Sequence, residues 1–337
     1  MKILIVGDLH LCEYSSILRS QGTLYSTRLE NCVASVNWCE ALALERGCEK
    51  IIYLGDFFDR SDLNAAELTA VSDIDWVNIP HYFLVGNHEM GMNTLEWSSA
   101  HIFKKAGTYV LDKHTMIDSE DLQICFLPYV LEENRKPLSN YFGSRNGKKR
   151  VIFSHNDIAG IQMGQFISRA GFTVSEIEEN CDLFINGHLH NGSRITEKII
   201  NVGNITGQNF GEDGFKYKHK AFILDTNDLR CETYENPYAI NFYKIDELKD
   251  LTNVYNAVVT VKVTSDIAPG LKQQIDEDPN IIASRLIVDY VRQGENKDIK
   301  ELLSIDHLEE FKTFVLDQLA DNSNLDLVRE ELGYIYG

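Results

Sequence analysis

Five short clusters hold the residues best suited to chemistry: Asp8-Leu9-His10, Gly55-Asp56-Phe57-Phe58-Asp59-Arg60, Gly86-Asn87-His88-Glu89, Ser154-His155 and Gly187-His188-Leu189-His190. Five of the ten histidines fall inside them, so imidazole is concentrated where carboxylates and an amide also stand. At a strand end, residues i and i+2 point the same way. Asp8 with His10, and His188 with His190, can therefore each reach one ion together. Mixed carboxylate, imidazole and amide-oxygen donors suit Mn, Fe or Zn, and a shared carboxylate can bridge two ions about 3.5–4 Å apart. Any one cluster alone reads equally well as a strand-ending turn or a surface histidine. Five such clusters in order, each following an apolar strand, weigh against turns and surface histidines and toward one shared metal-binding site.

The elements that must position these residues are legible as apolar runs. Ile3 to Val6, Ile51 to Leu54 and His81 to Val85 read as buried strands, each closed by glycine and a polar residue. Between the first two, Leu29, Val33, Val36 and Ala43 keep one helical face, Thr27 with Glu30 has capping-box spacing, and Gly47 offers a stop. Residues 64 to 75 read as a second helix. Strand, helix, strand, helix, strand is α/β architecture, and in such sheets sites form outside the carboxyl ends of the strands. Leu122 to Leu127, Val151 to Ser154 and Leu183 to Asn186 read as further strands, residues 132 to 150 as a solvated loop, and 194 to 235 as an antiparallel run. After a change of character near residue 240, Ala257 to Val263 reads as a strand. Helical patterns are expected over about 280 to 292 and through the acidic tail from Asp298 to Gly337.

Composition bounds the function. At 337 residues, the chain suggests about two domains. Its 51 Asp and Glu against 32 Lys and Arg give a formal charge of −19, which repels nucleic acid and anionic membrane at long range. A substrate DNA would need metal ions, a local basic patch such as Lys216, Lys218, His219 and Lys220, or a basic partner. Seven cysteines, none in a C-x-x-C pair, read as buried reduced thiols rather than a zinc site or disulfide framework. No apolar run approaches the roughly 18 residues of a membrane span, and the opening run ends at Asp8, so a cytoplasmic protein with no membrane partner is expected.

The ordered set Asp-x-His, Gly-Asp-x-x-Asp, Gly-Asn-His-Glu, His and Gly-His-x-His resembles the calcineurin-like metallophosphoesterase superfamily over about residues 1 to 230. The resemblance implies a two-sheet α/β sandwich core and two divalent ions, Mn²⁺ by preference. Asp8, His10 and His190 would hold one ion and Asn87, His155 and His188 the other, with Asp56 bridging. It leaves His88 as the candidate general acid for the leaving alkoxide. Asp59 would orient or charge that histidine, and Arg60 would contact phosphate.

Within the superfamily, three features resemble the SbcD-type nuclease subunit of SbcCD-like DNA repair complexes, and the length is similar to compact phage-encoded members. The first motif stands at the N-terminus. Gly203-Asn204-Ile205-Thr206-Gly207-Gln208-Asn209-Phe210-Gly211-Glu212 follows the Gly-His-x-His strand. About 100 residues remain beyond the core. The implied organisation is a phosphoesterase domain over 1–240, a smaller α+β capping domain facing DNA over 241–297, and a helical tail over 298–337 that binds an SbcC-like ATPase. A homodimer is implied, with residues 12 to 40 and 91 to 106 as candidate surfaces. The implied activity is DNA end processing by exonuclease and single-strand endonuclease action. Gly-Asp-x-x-Asp-Arg also resembles serine/threonine phosphatases. A small-nucleotide phosphodiesterase and an inactive scaffold are the other readings.

Overall fold

Two six-stranded sheets, face to face, carry the site on one shared edge. The structure is a computed structural model describing residues 1–15, 25–163, 166–264 and 268–289. The first sheet has the order Arg230–Glu235, Lys220–Asp225, Lys2–Val6, Lys50–Tyr53, His81–Leu84, Thr108–Leu111. From Lys2–Val6 onward its strands run parallel. The second has the order Ser193–Arg194, Ile199–Asn201, Leu183–Asn186, Lys149–Ser154, Leu122–Leu127, Thr115–Asp118, with its four central strands parallel. Ile199–Asn201 is thus a parallel strand, where an antiparallel run was expected. The Lys220–Asp225 and Arg230–Glu235 pair is antiparallel.

The opening strand shows why the runs are apolar without alternation. Ile3 and Ile5 pack between the sheets with Phe126, Phe153 and Ile185, while Leu4 and Val6 pack outward under the helix Thr27–Glu45. Both faces of the strand are covered from Ile3 to Val6, so these four residues are all apolar. A second outer layer, with Ile177 of Val174–Asn180 and Phe142 of Ser139–Phe142, covers Ile152 and Phe184. The result is a sandwich of helices, sheet, sheet and helices.

Local details differ from the sequence expectation in four places. The long helix is capped by Ser26, whose Oγ accepts from Leu29 N at 3.2 Å, and not by Thr27, which is already inside the helix. Gly47 does close it, with φ at +66°. The 132 to 150 segment is not simply solvated. Leu138 and Phe142 are buried, and Arg150 is 1% exposed, its guanidinium held by Gln123 Oε1 at 2.7 and 2.9 Å.

The remaining two differences lie beyond residue 240. Ile281–Asp289 is a strand, and the helix lies earlier, over Ala268–Asp276. A short apolar run carries no decisive period. Here Ile281 joins one apolar cluster and its neighbour Ile282 another, which is strand alternation. The strand completes a three-stranded sheet with Asn241–Ile245 and Ala257–Thr264, the latter two parallel. The acidic helical tail expected over 298–337 lies outside the described residues. Among the described residues no helix is long and apolar enough to cross a membrane, and all seven cysteines are free, six of them buried.

Candidate metal centre

Asp8, Asp56 and Asn87 stand just beyond the ends of three adjacent parallel strands of the first sheet. His155 and His188 stand beyond two adjacent parallel strands of the second. The two edges meet, and the five clusters become one site. Ligand-capable atoms of Asp8, His10 and His190 lie within 4.8 Å of one another, as do those of Asp56, His155 and His188, and those of His10, Asp56 and His88. Asn87 Oδ1 joins the second group, 3.2 Å from His155 Nε2 and 3.0 Å from His188 Nδ1.

The backbone at this edge is unusual. His10, Asp56 and His188 have φ of +50°, +48° and +68°. Left-handed backbone at a non-glycine residue costs about 1–3 kcal/mol and persists only where surroundings over-determine it. Here it turns each side chain back across the strand end. Two glycines make room. A Cβ on Gly55 would lie 2.5 Å from His155 Nδ1, and one on Gly86 would lie 2.1 Å from Asp56 Oδ1.

Four histidines each have one ring nitrogen engaged from outside the cluster. Leu54 O lies 2.9 Å from His155 Nδ1; a carbonyl only accepts, so Nδ1 carries the hydrogen and Nε2 is directed at Asp56 Oδ2, 3.1 Å away. Asp59 Oδ1 holds His10 Nδ1 at 3.1 Å, Asp157 Oδ1 faces His188 Nε2 at 3.3 Å, and Glu212 Oε1 holds His190 Nδ1 at 3.1 Å. Such outer partners fix tautomer and ring direction in metal sites. Asp157 and Glu212 were not singled out for this by sequence reasoning. The signal for Asp157 was its place two residues after His155; Glu212 lies 22 residues from its histidine, so only the fold reveals it.

The charge balance fits cations. Asp8 Oδ2 and His10 Nε2 are buried, lack any hydrogen-bond partner and lie 4.0 Å apart. Unpaired buried polar atoms are costly, and here they converge with a further carboxylate and imidazole, a donor set suited to divalent ions. Burial opposes charge on Asp56, but His155, His10 and His88 outweigh it and hold the carboxyl below its ordinary range. Burial likewise opposes charge on His155, yet Asp56 and Asp8 push it up to about 9. In the protein without ions, a proton on His155 compensates the carboxylates that cations would otherwise neutralise.

The other expected residues separate. His88 is exposed at the pocket wall, its ring 4.6 Å from that of His10. His88 Nδ1 lies 3.1 Å from Asp59 O and 3.6 Å from Asp59 Oδ1. Asp59 thus touches His10 as well as His88. Arg60 is engaged elsewhere: its Nη2 donates to both oxygens of Glu67, at 2.7 and 2.8 Å, where Glu67 and Asn64 also cap the helix Ala65–Ser72. The expected basic patch is only partly open, with Lys216 exposed and Lys220 half-buried. His219 is buried, with Asn204 O 3.0 Å from its Nδ1, Lys216 pairs with Asp213, and Lys218 lies over the Tyr255 ring. Beside the cluster is a cavity of about 360 Å³ reached by Asp56, Asn87, His88, His190 and Tyr217.

Residues 1–195 match the model of the calcineurin-like phosphoesterase family, and the chain belongs to that family. Its members are metal-dependent hydrolases acting on phosphoester bonds, with two metal ions per site. Among solved structures, an archaeal phosphodiesterase is similar at 17% identity and TM-score 0.36, over 70% of this chain and 99% of its own. A dimetal phosphatase from Danio rerio is similar at 12% identity and TM-score 0.41, over 70% and 99%. A protein of Thermus thermophilus is similar at 11% identity and TM-score 0.40, over 69% and 98%. No curated protein matches the chain.

Proposed function

We propose that the protein is a DNA nuclease, cleaving phosphodiesters at its two-cation site. The observation that carries this reading is how the third sheet is attached. The segment bearing Glu212, which holds His190, also docks that sheet: Gly207 N donates to Ile240 O and Gly214 N to Phe242 O, both at 2.9 Å, and Phe210 meets Phe242 edge-on. An accessory module fixed to a metal-ligand loop extends the surface beyond the phosphoryl centre. A long substrate uses such a surface; a small phosphomonoester does not.

Asp8, His10 and His190 would hold one cation, Asn87, His155 and His188 the other, with Asp56 between them. Bound there, two cations such as Mn²⁺ supply positive charge against the phosphoryl oxygens and make water acidic enough to act as a nucleophile near neutral pH. His88 serves the leaving group. Because Asp59 O accepts from Nδ1, a proton on Nε2 requires the imidazolium, and the Asp59 carboxylate faces that charge. The proton passes from Nε2 to the departing alkoxide oxygen. Asp59 also steadies His10.

With a charge of −19 and Lys216, Lys218 and His219 engaged, attraction to DNA must come largely from the cations and a partner. An SbcC-like ATPase fits that need, and residues 298–337 are the proposed attachment. A homodimer is part of the same reading; exposed Met92, Trp97 and Ile102 give residues 91 to 106 apolar surface for a second copy. The intact Gly187-His188-Leu189-His190 pair, and the lack of glycines after His155 in Ser154-His155-Asn156-Asp157, count against the serine/threonine phosphatase reading.

The test is cleavage by the purified chain with Mn²⁺, offered single-stranded DNA, linear duplex and a phosphomonoester in parallel. DNA cleavage that His88→Ala abolishes is the expected result. Monoester turnover with intact DNA would replace this reading with a phosphatase.

A further inference from the structure

A second cavity, of about 420 Å³, lies near the site and has no part in the chemistry above. Tyr129 stands between the two: it lines the cavity, and its ring centroid is 5.7 Å from that of His188. The wall behind Tyr129 is tied to the metal-site segments themselves. Tyr129 N donates to Val85 O at 3.0 Å, two residues before Asn87. Val130 N donates to Asn156 Oδ1 at 2.9 Å, one residue after His155. The cavity therefore keeps a fixed distance from the phosphoryl position.

Its lining defines what fits. Tyr129 and Tyr141 offer ring faces, Leu95 and Leu131 apolar walls, and Asn93 and Asn134 amide groups that both donate and accept. A mostly apolar concavity of a few hundred Å³ with a few amides suits a flat heteroaromatic ligand. Of the charged side chains in the lining, Glu96 and Asp112 are matched by Lys113 and Lys136, with Lys113 Nζ 3.5 Å from Glu96 Oε1, so a group of no net charge enters without opposing a charge.

We propose that this cavity is a nucleoside subsite: it receives the base and sugar next to the scissile phosphate, the base stacking on Tyr129 or Tyr141. The inference rests on the phosphodiesterase reading above and adds which part of the substrate is recognised. Base stacking on aromatic side chains is tolerant of sequence, so the subsite would register a nucleoside without selecting one base strongly.

Two substitutions fill the cavity, Asn134→Trp at an exposed position and Leu131→Trp at a half-buried one. With Mn²⁺, each variant is compared with wild type on the p-nitrophenyl ester of thymidine 5′-phosphate and on bis(p-nitrophenyl) phosphate, which has no nucleoside. Both variants should raise KM for the thymidine ester about tenfold or more, the size of one lost base-stacking contact. Turnover of the nucleoside-free diester should stay within about twofold. Equal effects on both esters, or none on either, would overturn the subsite. Calorimetric binding of thymidine 5′-monophosphate is measured alongside. If wild type hydrolyses neither ester, the phosphodiesterase reading fails. Weaker mononucleotide binding in both variants would still uphold the cavity, and unchanged binding would remove it.

Discussion

Glu212 Oε1 lies 3.1 Å from His190 Nδ1, and Glu212 is only 3% exposed. Three donors converge on this carboxylate: His190 Nδ1 and Asn204 Nδ2 on one oxygen, Gln208 N on the other. A glutamine has one acceptor where the site needs two, so Glu212→Gln sets an amide N–H against another donor. His190 then loses its fixed direction. We expect metal affinity to fall about 10–100-fold, the range for outer partners of metal-bound histidines, with the fold retained. Calorimetric titration with Mn²⁺ measures it; wild-type affinity would make Glu212 a staple of its loop and nothing more.

His88 separates chemistry from metal binding. As proton donor to the leaving group, it matters most when that group is a poor one. His88→Gln should lower kcat on DNA, whose leaving alkoxide needs a proton, by about 10²–10⁴. A p-nitrophenyl diester expels a stable phenolate and should lose only a few-fold. Equal losses on both substrates would assign His88 to phosphate binding instead.

Asp59 faces two ways, 3.1 Å from His10 Nδ1 and 3.6 Å from His88 Nδ1. Asp59→Asn should therefore do what His88→Gln does not: weaken Mn²⁺ binding as well as slow DNA cleavage. If the asparagine variant binds Mn²⁺ like wild type, the contact to His10 is passive.

The ligand clusters were legible in the sequence because each follows an uninterrupted apolar strand, and a parallel strand covered on both faces leaves that mark. What escaped was contact between distant segments. Nothing near Glu212 announces His190, and nothing near Glu67 announces that it will take the guanidinium of Arg60. Ile281–Asp289 was misread because a short apolar run suits either a helix or a strand until a neighbouring strand pairs with it. The helix Ala268–Asp276 was hidden by Pro269 and Gly270, although proline costs little in a first turn. Arg150 misled for another reason. It ends a basic run, yet the carbonyls of Phe142 and Gly143 and the side chain of Gln123 satisfy it.

Metal uptake should depend steeply on pH. Without ions, Asp56 and Asp8 raise His155 to about 9, so its imidazole is protonated at neutral pH. A cation needs the neutral ring and must displace that proton. Affinity should rise with pH until about 9, by about tenfold per unit for one displaced proton. Below that value the proton competes; above it the dependence on His155 ends. Mn²⁺ titration near neutral pH in two buffers of different ionisation enthalpy counts the protons released, and a count of zero would sink this account.

The glycine before Asn87 is a test of how tightly the centre is built. A Cβ on Gly86 would lie 2.1 Å from Asp56 Oδ1 and 2.5 Å from Asp56 N. The latter is backbone, so nothing can swing aside cheaply. Asp56 would have to move, and with it the bond from His88 N to Asp56 Oδ1, now 2.9 Å. Gly86→Ala should cost about 1–3 kcal/mol of stability, as overpacking does, and should abolish binding of both cations, since Asp56 lies between them. Gly107→Ala is the control: its φ is +81°, but a Cβ there meets no atom within 4 Å. It should suffer backbone strain alone and keep the metals. Thermal melting and metal content after dialysis separate the two variants. Retention of both ions by Gly86→Ala would mean that Asp56 is not the shared ligand.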